Sequence, residues 1–167
     1  MSHKGMGTHQ SSAMVTDTWL TPPELLSRLG KFDLDPCAAP EPRPWPTADT
    51  HFVREQNGLI LPWIGRVWMN PPYGPPPIVT PWMRRLEEHG NGLALIFART
   101  ETEMFHDWVW NKASSVLFFK GRLYFHYPNG ARAPANAGAP SCLVAYGKQN
   151  TDALHNVEDL GCLVILN

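Results

Sequence analysis

A chain of 167 residues, 43% hydrophobic and 17% charged, is large enough to bury a core of its own. Its formal net charge of −1 excludes a uniformly basic nucleic-acid binder, and no apolar run approaches the roughly 18 residues of a membrane span. Cys37, Cys142 and Cys162 are odd in number and widely spaced. That argues against a disulfide framework and a Cys-x-x-Cys zinc site, so no metal is expected and a reducing cytoplasm fits best.

Residues 1–16 lack the apolar stretch of a secretory signal and are expected to form a disordered tail ahead of a single domain over 17–167. Thr21-Pro22-Pro23-Glu24 predicts a helix start, with Thr21 capping and Glu24 completing a capping box; Leu25, Leu26 and Leu29 make its apolar stripe and Gly30 ends it. Phe32–Asp35 reads as a short strand stopped by Pro36. Between Ala39 and Thr47 proline alternates with other residues, the pattern of a rigid extended loop; 14 of the 17 prolines lie between Pro22 and Pro81. Arg66–Met69 is the next strand candidate, broken by Asn70-Pro71-Pro72-Tyr73-Gly74. A helix is predicted from about Pro81, capped by Thr80, to Glu88, closed by Gly90. The apolar run Leu93–Ala98 suits a strand buried on both faces. Thr100 and Glu103 form a second capping-box pattern for a helix running to about Lys112. Ser115–Phe119, Leu123–Tyr127, Cys142–Tyr146 and Cys162–Leu166 are further strand candidates. Strands alternating with helices predict an α/β fold, mostly parallel with an antiparallel edge.

Charge is distributed unevenly. Trp108 to Thr151 holds no acid but five bases (Lys112, Lys120, Arg122, Arg132, Lys148), while the rest of the chain has 15 acids and 9 bases. Such a basic segment is either a polyanion footprint or a loop-rich stretch that lacks carboxylates.

The segment richest in chemistry is Val67-Trp68-Met69-Asn70-Pro71-Pro72-Tyr73-Gly74. In an open α/β sheet, ligands sit beyond the carboxyl ends of strands, which puts Asn70 at the binding edge. An Asn side-chain oxygen accepts one hydrogen bond, and a carbonyl of the Pro71-Pro72 pair, held by the proline rings, accepts a second. Two converging acceptors match an NH2 group, and Tyr73 offers a flat face to a planar heterocycle. Gripping both hydrogens pulls the amino nitrogen towards tetrahedral and localises its lone pair for attack on a methyl group. The nitrogen becomes cationic during attack, so no strong base is needed.

Asn-Pro-Pro-Tyr after an apolar strand is similar to the catalytic motif of S-adenosylmethionine-dependent methyltransferases acting on adenine N6. The wider pattern resembles the phage-type DNA N-6-adenine-methyltransferase family over roughly residues 19–147. It is carried by Trp19-Leu20-Thr21-Pro22-Pro23-Glu24-Leu25, Phe32–Ala38, Asn57-Gly58-Leu59 with Trp63, Ala98–Thr102 with Phe105-His106, Gly121-Arg122-Leu123 with Phe125, and Pro140–Val144. The resemblance implies a Rossmann-like sheet, S-adenosylmethionine as cofactor, and double-stranded DNA as partner with the target base flipped out of the helix. It also implies a bacterial host cytoplasm, with a phage or prophage source. A homodimer is left open.

By the same resemblance Asn70, Pro71, Pro72 and Tyr73 are the catalytic candidates, and Thr21, Pro22, Asp35, Pro36, Cys37 and Asn57 the cofactor-binding ones. Thr21 is alternatively a helix cap, and Asp35 a turn carboxylate. Two departures stand out: Cys37-Ala38-Ala39 replaces the Gly-x-Gly turn of many methyltransferases, and Asn57 stands where the family often has Asp. Arg99, Arg122 and Arg132 are candidates for DNA contact, Arg122 being alternatively part of a hairpin turn. The loop from Tyr127 to Pro140, with Asn129 and Asn136, either reaches a DNA groove or is an idle loop. The same motif also serves methylation of RNA adenine or of a protein amide, and the absent glycines equally suit a non-catalytic DNA-binding relic.

Overall fold

Residues 18–167 are described by a computed structural model; the expected tail over 1–16 lies outside the described residues. The strands are β1 (Leu34–Asp35), β2 (Thr50–His51), β3 (Val67–Met69), β4 (Gly92–Phe97), β5 (Ser115–Phe119), β6 (Ser141–Tyr146) and β7 (Gly161–Ile165), in one sheet of order β2-β1-β3-β4-β6-β5-β7. β1 pairs in parallel with β2 and β3, and β3 with β4. β6 lies antiparallel between β4 and β5, and β7 runs antiparallel to β5 at the edge. β1 to β5 therefore share one direction, and only β6 and β7 oppose it. The α/β class is as expected, but the antiparallel part is more than an edge, since β6 is internal and three of the six pairings are antiparallel.

Alternation along the strands serves two cores. In β4, Leu93 and Leu95 join Trp68, Leu117, Leu143 and the α1 residues (Pro23–Leu29) Leu25, Leu26 and Leu29 on one face. Ala94 and Ile96 join Met69, Val116 and Val144 on the other, beneath Met83 and Leu86 of α2 (Pro76–His89) and Phe105 of α3 (Glu103–Phe105). Burial on both faces is why the 93–98 run is continuously apolar. The helices α1 and α4 (Lys148–His155) cover the first face and α2 and α3 the second.

The structure corrects several boundaries. Thr21 does not cap α1: Pro22 occupies the cap and its carbonyl takes the Leu25 and Leu26 amides at 3.1 and 3.3 Å. Pro23 at the first position has no N–H to be capped, so the hydroxyl is left for other work. α2 starts at Pro76 rather than Pro81; Pro76 and Pro77 sit where a missing N–H costs nothing, and Pro81 rides on the exposed face inside the helix. The third helix is capped by Thr102, whose Oγ1 accepts from the Phe105 amide at 3.3 Å, not by Thr100, and it continues as a π-helical turn over His106–Trp110. Leu123–Tyr127 is not a strand: only His126 forms bridges, to Leu20 and Arg132. The two-residue β2 was not anticipated, being too short for any periodicity. Among the described residues no helix is long and apolar enough to cross a membrane, and no three His, Cys, Asp or Glu side chains cluster as a metal would require.

Candidate active site

From β1 the chain passes to β2 on one side, then returns to β3 on the other. Such a reversal of strand order opens a crevice beyond the carboxyl ends of the two strands that flank it. Here β1 ends at Asp35 and β3 delivers Asn70.

The Asn70 amide is oriented by its nitrogen. Nδ2 donates to the Trp19 carbonyl at 3.0 Å and lies 3.4 Å from Thr21 Oγ1. The Trp19 carbonyl, which can only accept, decides which end is nitrogen. Oδ1 therefore faces the other way, buried and with no hydrogen-bond partner among the described residues. An orphaned buried acceptor is costly to the fold. Thr21 is itself 2% exposed, does not cap α1, and has its hydroxyl against the Asn70 amide.

Pro71 is buried and Pro72 exposed. The Tyr73 ring packs 4.5 Å from Phe97 and 5.8 Å, edge-on, from Phe125. Its hydroxyl is buried without a partner among the described residues, and burial, with Cys37 and Cys142 nearby, pushes its pKa far up, so it stays protonated. Pro71, Tyr73, Gly74, Phe97, Arg99 and Met104 line a cleft between the ends of β3 and β4.

Across the crevice Asp35 is 3% exposed. Its Oδ1 accepts from the Cys37 amide at 3.0 Å and its Oδ2 from the Thr47 hydroxyl. Burial lifts its pKa to about 6, against the opposing pull of Thr47, Cys37 and Arg43. At neutral pH it is a carboxylate held by two donors. Burial and the neighbouring Asp35 push the Cys37 thiol well up, which makes it an inert thiol beside the Asn70 backbone.

The structure thus brings together Thr21, Asp35, Pro36, Cys37, Asn70, Pro71 and Tyr73, with Pro22 at the start of α1. Asn57 is different: it is exposed, with φ +52, at the end of the 3-10 turn Arg54–Gln56. Its neighbour Gly58 is the residue in contact, because a Cβ there would lie 1.9 Å from the Pro36 carbonyl oxygen. Gly58→Ala is expected to destabilise the protein by about 2 kcal/mol, an overpacking cost against backbone. Gly121→Ala, where a Cβ meets nothing within 4 Å and only φ +79 is strained, is expected to cost about half as much. Urea denaturation of both variants checks the order.

The three arginines are exposed. Arg99 stands at the cleft rim, Arg122 donates to the Ala137 carbonyl at 3.2 Å, and Arg132 lies over the Tyr124 ring at 4.1 Å. The loop carrying the last two walls the site: Phe125 touches Tyr73, Tyr127 lies 5.4 Å from Trp19, and His126 and Leu20 exchange backbone bonds at 2.9 and 3.0 Å. Sequence reasoning missed three contributors: the Trp19 carbonyl, Thr47 and Phe97. A backbone carbonyl leaves no sequence signal, and Thr47 lies 12 residues from the carboxylate it serves, inside a proline-rich loop.

The crevice thus sets a free amide oxygen at one strand end beside a held carboxylate at the next. The chain belongs to the family described as DNA N-6-adenine-methyltransferase (Dam), which it matches over residues 8–156. It is similar to the DNA N-6-adenine-methyltransferase of Escherichia phage T1, with 27% identity over 124 residues, covering 70% of this chain and 50% of that protein. The chain thus spans about half the length of this curated relative. No solved structure matches it.

Proposed function

We propose that this protein transfers a methyl group from S-adenosylmethionine to the N6 amino group of adenine in double-stranded DNA, on a Rossmann-like methyltransferase sheet. The observation that carries the reading is the buried, unpartnered Oδ1 of Asn70 at the end of β3. Oδ1 accepts one amino hydrogen, and a carbonyl of the Pro71-Pro72 pair accepts the other. The nitrogen lone pair is thereby freed for attack, and the amino proton is lost after transfer. Tyr73 turns a ring face to the flipped base, offsetting part of the few kcal/mol that unstacking costs.

The strand-end donor set fits the cofactor: Asp35 is ionised at neutral pH and both its oxygens are already oriented. Thr21, Pro22, Asp35, Pro36, Cys37 and Asn57 would hold it, and when bound it supplies an electrophilic methyl group. Arg99, Arg122 and Arg132 contact DNA phosphates from the cleft rim and the loop over 120–140.

The test is transfer of labelled methyl to unmethylated duplex DNA, with RNA and protein substrates in parallel and the product base identified. N6-methyladenine in the duplex is the expected result. Label confined to RNA or protein, or no transfer by folded protein, overturns the reading.

A further inference from the structure

His51 is neither in the catalytic motif nor among the cofactor candidates, yet it is tied to the site. β1 and β2 pair with Asp35 opposite His51 in register. The imidazole reaches back to the proline-rich loop, where Nε2 lies 3.2 Å from the Thr47 amide and 3.3 Å from the Ala48 amide. Both neighbours are N–H donors, so Nε2 is the acceptor and the ring proton sits on Nδ1. The hydroxyl of the same Thr47 donates to Asp35 Oδ2.

We propose that His51 is a positioning residue for the Asp35 carboxylate: by holding the two amides at 47 and 48 it keeps the Thr47 hydroxyl on Oδ2. The proposal rests on the reading of Asp35 as part of the cofactor site. A protonated Nε2 has no lone pair and would set a third donor against two, releasing the loop. The charged groups facing the imidazole are Arg43, which with burial lowers its pKa, and Glu41 and Asp49, which oppose that fall. Arg43 is itself bound to Glu41 and to the Ala39 carbonyl. Below the ordinary histidine range the relay therefore opens, and cofactor affinity falls by a route separate from protonation of Asp35.

Calorimetric binding of S-adenosylhomocysteine by the full chain, compared for wild type, His51→Gln and His51→Phe between about pH 7.5 and about pH 5, tests this. Gln keeps a neutral acceptor at that reach and Phe has none. At about pH 7.5 His51→Gln is expected to bind within about twofold of wild type and His51→Phe about tenfold more weakly. On acidification the wild type should lose more affinity than His51→Gln, whose only remaining titration is that of Asp35. Equal binding by His51→Phe and wild type, with the same pH profile, would overturn the proposal. So would variants that change only thermal stability. If the wild type binds no S-adenosylhomocysteine at any pH, the functional reading has failed. The relay is then judged by the imidazole nitrogen-15 spectrum, where an Nδ1–H tautomer supports it and an Nε2–H tautomer ends it.

Discussion

Asn70→Ala is expected to reduce methyl transfer by about a thousandfold or more while leaving S-adenosylhomocysteine affinity within about twofold. The amide does two separable things. Its nitrogen ties β3 to the Trp19–Thr21 segment, and its oxygen is the free acceptor. Alanine removes both, but that segment retains its bridge to His126, so the scaffold is held elsewhere. Asn70→Asp separates the two roles. It keeps the acceptor but turns a second oxygen towards the Trp19 carbonyl, which Asn70 Nδ2 meets at 3.0 Å. The Thr21 hydroxyl can rotate to donate to that oxygen; a carbonyl cannot. Transfer by Asn70→Asp should therefore fall between wild type and Asn70→Ala. Transfer assays beside calorimetry check both variants, and lost cofactor binding in Asn70→Ala would make Asn70 a scaffold residue.

Asp35→Asn is expected to make the protein more stable and less functional. The folded carboxyl has its pKa raised to about 6 by burial. A raised carboxyl favours the folded state fully below the unfolded value near 3.8, and that advantage is lost as pH rises through about 6. Ionised Asp35 thus costs on the order of 3 kcal/mol at neutral pH. Asparagine carries no such charge. Its carbonyl can keep the Cys37 amide, while its NH2 can donate to a rotated Thr47 hydroxyl. Urea unfolding should show Asp35→Asn more stable than wild type at neutral pH, by up to that amount, with the two curves converging below about pH 4. His51 titrates with the opposite sign, losing stability as pH falls. Cofactor affinity should fall by about tenfold or more in the same variant. A variant less stable than wild type at neutral pH would mean that the carboxylate is repaid within the fold.

The sheet was legible wherever burial forces a pattern. β4, β5, β6 and β7 were found within a residue or so, because strands packed on one or both faces must be apolar. Helix starts were harder: the chain offers Thr21, Thr80 and Thr100 as caps, and the fold uses Pro22, Pro75 and Thr102. Proline at the first helical positions removes the donors that a hydroxyl would have served. At the site, the Asn70 and Asp35 edges were readable from short segments. What joins them was not. The Trp19 carbonyl, Thr47 and His51 act through contacts made only once β1, β2 and β3 lie side by side.

The segment between β5 and β6 pairs with itself as well as packing on the site. Tyr127 and Ala131, Phe125 and Ala133, and Leu123 and Ala137 pair along its backbone, and Arg132 rests on its own Tyr124. Substitutions at its tip leave the sheet untouched, so its outward side chains can diverge while the chemistry at β3 stays constant. The freedom is limited where the loop touches its surroundings, Phe125 on Tyr73, Tyr127 on Trp19 and His126 on Trp45. Through Leu20 this loop shares a backbone pairing with the segment that orients Asn70. An insertion that shifts His126 by one residue would reach the amide, and one at Asn129–Gly130 would disturb the Gly130 carbonyl that meets the His126 ring at 2.9 Å. Diversification of the loop is thus channelled to its outward-facing positions.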